Sequence, residues 1–172
     1  MIAWYGTVAG LAVVFKWPGG AFLTNDGANH RLALLTSPRL SDDAQKLLHT
    51  GIHHLAFEFP ALDDLLATYI RLAASGIRPQ FTVDHGMTTS FYYVDPDGNS
   101  VEMQSDNFGD WERSTNFMRS APEFAADPIG TLVDPEQMIR VRAEGASQLE
   151  VHERGYAGAY PPPEPQDIRI PV

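Results

Sequence analysis

The 172-residue chain has 12 Lys and Arg against 22 Asp and Glu, a net charge of −10, and 44% hydrophobic residues. A chain of this length and acidity, with no Lys/Arg run, fits one domain or two small halves sharing a core and lacks an electrostatic footprint for nucleic acid or anionic lipid. Cysteine is absent, which removes disulfides, thiolate zinc sites, iron–sulfur clusters and thiol nucleophiles together, so any metal is left to His, carboxylate and water.

Residues 1–60 are neutral, with four acidic and four basic side chains, and 61–172 hold 18 acidic against 8 basic. The start, Met1-Ile2-Ala3-Trp4-Tyr5, has neither the basic region nor the long apolar run of a secretory leader. No stretch nears the roughly 20 apolar residues of a membrane span. A cytoplasmic protein is expected.

In chain order, 1–9 read as a helix end stopped at Gly10, 11–17 as a Val-rich strand, and 18–20 as a turn. A short strand at 21–25, an Asp26-Gly27 hairpin signal and a strand at 29–36 follow. Residues 37–50 form a connection with a short helix at 41–48. Residues 51–59 read as a strong strand. Leu62, Leu65, Leu66, Tyr69, Leu72 and Ala73 make a helical stripe over 61–75, and Gly76 suits its C-terminal cap. Strands are expected at 77–83, 89–94 and 99–104, with Asp95-Pro96-Asp97-Gly98-Asn99 as a tight turn. Helices near 108–119 and 134–154 precede a Pro-rich tail over 155–172. In the first of these, Phe108, Trp111, Phe117 and Met118 read as packing residues.

The order over 51–105 is β-α-β-β-β, and 1–36 give α-β-β-β, the same unit without its opening strand. The fold class is therefore α+β: paired βαβββ modules with C-terminal helices. The divisions are 1–50 for the first module, 51–108 for the second, 109–154 for a helical extension and 155–172 for the tail.

Period two sets His53, Leu55, Phe57 and Phe59 on a core face and Ile52, His54, Ala56 and Glu58 on the other. The adjacent histidines therefore point opposite ways. His54 is the better ligand candidate, although on this strand alone a water-facing His54 is the plainer reading. Val101 and Met103 share a core face, leaving Glu102 with Gln104. Glu102 alone reads as solvent-facing, and it gains meaning if the sheet curls so that its polar face lines a cavity with His54. His30 falls on the face of Leu32 and Leu34, and His85 falls in a loop. His49 and His152 are assigned nothing. Ser90 lacks the G-x-S-x-G frame of a hydrolase, and no phosphate-binding loop or dinucleotide motif occurs.

Three segments, His30-Arg31-Leu32-Ala33-Leu34, Gly51-Ile52-His53-His54-Leu55-Ala56-Phe57-Glu58, and 89–102 with its Ser90-Phe91-Tyr92 and Asp95-Pro96-Asp97-Gly98-Asn99, resemble the vicinal oxygen chelate superfamily. Within it they most resemble type I extradiol ring-cleavage dioxygenases of the biphenyl-2,3-diol 1,2-dioxygenase kind. The likeness spans about residues 3–108. It implies a divalent metal, Fe(II) or Mn(II), held by two His and one Glu, of which His54 and Glu102 match two. The remaining His belongs to the strand that would open the first module, and nothing in the sequence matches it. The resemblance also assigns the acid–base histidine to His30, the active-site tyrosine to Tyr92 and a second substrate-contacting histidine to His85.

Two imidazoles and a carboxylate leave open positions on Fe(II) for a diol and dioxygen, and histidine suits proton transfer near neutrality. The expected function is ring cleavage of a 2,3-dihydroxybiphenyl-like catechol in aromatic-compound catabolism. The missing ligand predicts poor metal retention, an inactive chain as given, and an exposed sheet edge that invites a dimer or other homo-oligomer. A glyoxalase-like metal-dependent lyase or isomerase and a non-catalytic small-molecule-binding module are the alternatives.

Overall fold

The structure is a computed structural model that describes residues 1–170. The chain folds as two compact units.

The first unit comprises residues 1–53 and 94–100 with Ile170. Helix α1 (Ile2–Ala9) buries only Tyr5 and Val8. The Tyr5 hydroxyl donates to Asp95 Oδ2 at 2.9 Å, which ties the helix to the 95–99 turn. Asp95 organises that turn itself, accepting the Asp97 and Asn99 N–H groups on Oδ1 at 3.0 and 2.8 Å. Strands β1 (Ala12–Trp17), β2 (Gly20–Thr24) and β3 (Leu32–Leu35) form a three-stranded antiparallel sheet in that order. The register Trp17↔Gly20 closes the first hairpin at the predicted Pro18-Gly19 turn, and a bulge interrupts it between Val13 and Phe15.

The hairpin expected at Asp26-Gly27 is a longer loop, and β3 starts at Leu32 instead of residue 29. Asp26 Oδ1 accepts the Ala28 N–H at 2.9 Å, and Oδ2 pairs with the Arg31 guanidinium at 2.7 Å. These local bonds compete with strand pairing. Of the helix expected at 41–48, only a 3-10 turn at Lys46–Leu48 forms.

The second unit comprises 54–93 and 101–169. Its strands are β4 (His54–Phe59), β5 (Phe81–Asp84), β6 (Thr88–Val94), β7 (Ser100–Asp106) and β8 (Thr131–Leu132), in the sheet order β4-β7-β6-β5-β8. The opening strand of a βαβββ unit thus lies beside its last. Helix α2 (Leu62–Ala74) buries Leu62, Leu65, Leu66, Tyr69 and Leu72, the predicted stripe. Phe91, Tyr93, Val101 and Met103, each at most 1% exposed, complete the core.

The predicted core face of β4 is only partly covered. Leu55 is exposed, Phe57 and Phe59 are half-buried, and His53 is exposed, because β4 is the edge strand of the sheet. Helix α3 (Trp111–Ser120) starts at Asp110, whose side chain accepts from the Glu112 and Arg113 N–H groups. Helix α4 (Pro122–Ala126) follows. The single helix expected over 134–154 is two, α5 (Pro135–Ala143) and α6 (Gln148–Tyr156). They are separated where Ser147 and Glu150 form a capping box that starts a new helix.

Of the tail expected over 155–172, residues 155 and 156 end α6, 171 and 172 lie outside the described residues, and the stretch between them is held by contacts with the second unit's sheet. Tyr160 is buried. Gln166 Oε1 accepts the Thr82 N–H at 2.9 Å, and Ile168 packs on the Phe81, Val83 and Tyr92 cluster. Among the described residues no helix is long and apolar enough to cross a membrane.

Candidate active site

Four of the five predicted site residues meet within the second unit. Alternation along β6 and β7 turns Tyr92 and Glu102 to the same side, and β4 brings His54 beside β7. His54 Nε2 lies 3.1 Å from Glu102 Oε2. The Tyr92 hydroxyl donates to Glu102 Oε1 at 2.9 Å. His85 Nε2 lies 3.0 Å from that hydroxyl and 3.9 Å from Glu102 Oε1. A line of four side chains results: His85, Tyr92, Glu102, His54.

Glu102 is 4% exposed, so the solvent-facing reading of its strand position fails. Burial pushes its carboxyl up, but hydrogen bonds from His54, Ser90 and Tyr92 outweigh this and hold it below the ordinary range. The bond to Glu102 raises His54 above its ordinary value, against the opposing effect of burial. Burial, followed by the neighbouring Glu102 charge, raises the Tyr92 hydroxyl and keeps it protonated. Phe81 stacks on the Tyr92 ring at 4.1 Å, and Ile168 adds apolar cover.

The protons along this line can be counted. His85 Nδ1 lies 2.7 Å from the Ile129 carbonyl. A carbonyl only accepts, so Nδ1 carries a proton. Tyr92 has one proton and faces two partners, Glu102 and His85 Nε2. Satisfying both contacts requires one proton more than a neutral His85, a neutral Tyr92 and an ionised Glu102 supply together.

His30 belongs to the first unit. It is exposed, in the loop before β3, rather than on an apolar face with Leu32 and Leu34. Its Nδ1 lies 2.7 Å from Asn29 Oδ1, and its ring stacks on Phe22 at 4.8 Å.

His54 and Glu102 present an imidazole nitrogen and a carboxylate oxygen toward each other, the donor types that suit a non-haem Fe(II) or Mn(II). No group of three or more His, Asp or Glu placed to hold a metal occurs among the described residues. The donors fit such a cation in kind, and number one fewer than a two-histidine, one-carboxylate set.

Sequence reasoning missed a second polar cluster behind His85. Asp84 Oδ2 lies 2.8 Å from His152 Nδ1, and Asn107 Nδ2 donates to Asp84 Oδ1 at 3.1 Å. His152, to which the sequence assigned nothing, is 7% exposed, and Asp84 is fully buried. Burial raises the Asp84 carboxyl despite the lowering effect of His152. The one signal available was an acidic residue ending an otherwise apolar strand. Ser90, set aside as a nucleophile, serves instead as a hydrogen-bond partner of Glu102.

The family model described as Glyoxalase/Bleomycin resistance protein/Dioxygenase superfamily matches residues 1–103. The chain belongs to this superfamily. It is 40% identical over 157 residues to biphenyl-2,3-diol 1,2-dioxygenase 3 of Rhodococcus globerulus, covering 91% of this chain and 82% of that one. It is 42% identical over 132 residues to biphenyl-2,3-diol 1,2-dioxygenase 2 of the same organism, covering 77% and 68%. A solved glyoxalase-type protein of Bacillus halodurans shares the fold at TM-score 0.51 and 18% identity, covering 60% of this chain and 84% of that one. The superfamily match ends at residue 103, so Asn107, Ile129 and His152 lie beyond it.

Proposed function

We propose that this superfamily member is an extradiol-type dioxygenase that opens the ring of a vicinal aromatic diol of the 2,3-dihydroxybiphenyl kind, with a non-haem divalent metal as its cofactor. The observation that carries the reading is the Tyr92 hydroxyl joining His85 to Glu102, with His54 on the far carboxylate oxygen. That arrangement occurs in a chain whose Rhodococcus relatives are named for this diol.

His54 and Glu102 are the residues that would hold the metal. When bound, a divalent metal of this type joins an electron-rich diol to dioxygen, both atoms of which enter the ring-opened product. The chain's own residues do the rest. Tyr92, held protonated by burial, can offer its hydroxyl proton to a substrate oxygen. His85 Nε2 can take up or return a proton through that hydroxyl, while its Nδ1 stays fixed on the Ile129 carbonyl. Phe81 and Ile168 keep the Tyr92 side of the site apolar, which favours an aromatic ring and strengthens the local hydrogen bonds. An acid–base role for His30 rests on the family resemblance alone.

The test is oxygen uptake after anaerobic loading with Fe(II), on addition of 2,3-dihydroxybiphenyl and simple catechols. The expected result is uptake with a yellow ring-opened product that is lost in His54→Ala and Glu102→Ala. No uptake under any loading condition overturns the reading. The two-donor set among the described residues favours a second reading, a binding member that needs no metal. Tight binding of an aromatic ligand that survives EDTA, without oxygen uptake, would establish it.

A further inference from the structure

His85 is the one member of the four-residue line that sits in a turn and not on a strand. A turn histidine can aim its ring in many directions unless something outside the turn fixes it. The C-terminal segment holds this turn from several sides. The Asp84 carboxylate bridges His85, accepting the Gly86 N–H on Oδ1 at 2.8 Å. Asn107 Nδ2 reaches Asp84 Oδ1 and the Gly86 carbonyl, both at 3.1 Å, one on each side of His85. Thr89 Oγ1 donates to Asn107 Oδ1 at 2.8 Å and orients the amide. His152 Nδ1 meets Asp84 Oδ2 at 2.8 Å, with one proton between them. The His152 ring is itself bracketed by Phe108 and Tyr156.

Two glycines make the close packing possible. Gly86 has φ +91°, and a Cβ there would fall 2.7 Å from the Phe117 ring. Gly130 has φ +82°, and a Cβ there would fall 2.2 Å from the Asp84 carbonyl oxygen and 3.0 Å from the His85 α-carbon. The adjacent Ile129 carbonyl takes the His85 Nδ1 proton.

We propose that Asp84 and His152 are positioning residues, a buried pair through which helix α6 locks the Asp84–Gly86 turn and aims His85 Nε2 at the Tyr92 hydroxyl. This inference rests on the dioxygenase reading for its catalytic consequence, though not for its geometry. Neither side chain hydrogen-bonds to the line of four; Asp84 acts on its chain neighbour His85 through the turn, and His152 acts through Asp84. Without His152 the buried Asp84 carboxyl would lose its partner on Oδ2, and the turn would relax. A shift of about 1 Å at a proton-transferring group costs up to about a hundredfold in rate.

The experiment compares His152→Leu, His152→Asn and Asp84→Asn with Met138→Ala, a fully buried residue of α5 used to match the loss of thermal stability. The first readout is the ring nitrogen spectrum of His85 in histidine-15N-labelled protein before metal loading. It should show one fixed tautomer, protonated on Nδ1, in wild type and Met138→Ala. In His152→Leu and Asp84→Asn it should show exchange between tautomers. His152→Asn keeps a nitrogen donor for Asp84 and should restore the fixed form. The second readout is steady-state kinetics: kcat about tenfold or more lower in His152→Leu with KM within about twofold, and partial rescue in His152→Asn.

An unchanged His85 spectrum in both His152→Leu and Asp84→Asn, or equal changes in Met138→Ala, overturns the proposal. If His152→Leu does not fold, Asp84→Asn decides on the same criteria. If wild type takes up no oxygen while the tautomer lock depends on His152 as stated, the dioxygenase reading falls and the positioning pair stands.

Discussion

The two units contain the same strand meander and differ in what covers it. In the first, β1 is exposed along nearly its whole length, with Val14 53% and Phe15 58% exposed, and Leu35 on β3 is 72% exposed. In the second, β5 is buried throughout and β6 and β7 nearly so. The cause lies outside the strands. The second unit has an opening strand, the 13-residue amphipathic helix α2 and the 111–156 helices, whereas the first has an eight-residue helix that buries two side chains. Burial then decides chemistry. Glu102, Tyr92 and Asp84 are removed from water and depart from their ordinary protonation behaviour, while His30 remains at the surface. Similar strand orders bury titratable side chains deeply only where other elements seal the sheet.

The largest effect on the sealed unit is expected at Glu102. Glu102→Gln keeps the shape and removes the charge, and should lower affinity for Fe(II) or Mn(II) about a hundredfold or more, measured by equilibrium metal binding. Tyr92→Phe removes the hydroxyl between His85 and Glu102. It should lower kcat on the order of tenfold to a hundredfold, with KM changed less, in oxygen-uptake assays. Leu65→Ala opens a cavity under the sealed sheet and should cost about 2–5 kcal/mol in denaturant unfolding.

The acid–base behaviour of His54 and Glu102 gives a pH test. His54 is raised above 6.5, chiefly by its bond to Glu102. Its contribution to stability is therefore fully present below about pH 6.5 and is lost as pH rises through the folded value. For Glu102, burial is outweighed by its hydrogen bonds, and the carboxyl is lowered from 4.5. Its contribution is present above about pH 4.5 and is lost as pH falls through the folded value. The melting temperature of the metal-free chain should therefore fall on the alkaline side as His54 deprotonates, and His54→Gln should remove that fall. The smallest effect is expected on the open sheet. Val14→Thr should change stability by no more than about 0.5 kcal/mol, and a loss of several kcal/mol there would show that the surface is covered in solution.

Local pattern determined much of this molecule. The period of α2, the Asp95 turn and the Val101/Met103 alternation depend on near neighbours, and each appears where the residues imply it. The family-bearing segments also named His54, Tyr92 and Glu102, the resemblance placed His85 from a loop outside them, and all four converge. What chain neighbours do not control was hidden. The half-open face of β4 follows from its edge position, and the late start of β3 follows from the Asp26–Arg31 pair. The split between α5 and α6 follows from a capping box that outcompetes a continuous helix. The burial of Glu102 depends on side chains from β4 and β6 and the turn after β5, and the contact between Asp84 and His152, 68 residues apart in sequence, exists only once α6 closes on the sheet. Sequence spacing carries the periodicity of one element and the identity of its side chains, whereas desolvation and long-range hydrogen bonds depend on which elements meet, and that is decided in three dimensions.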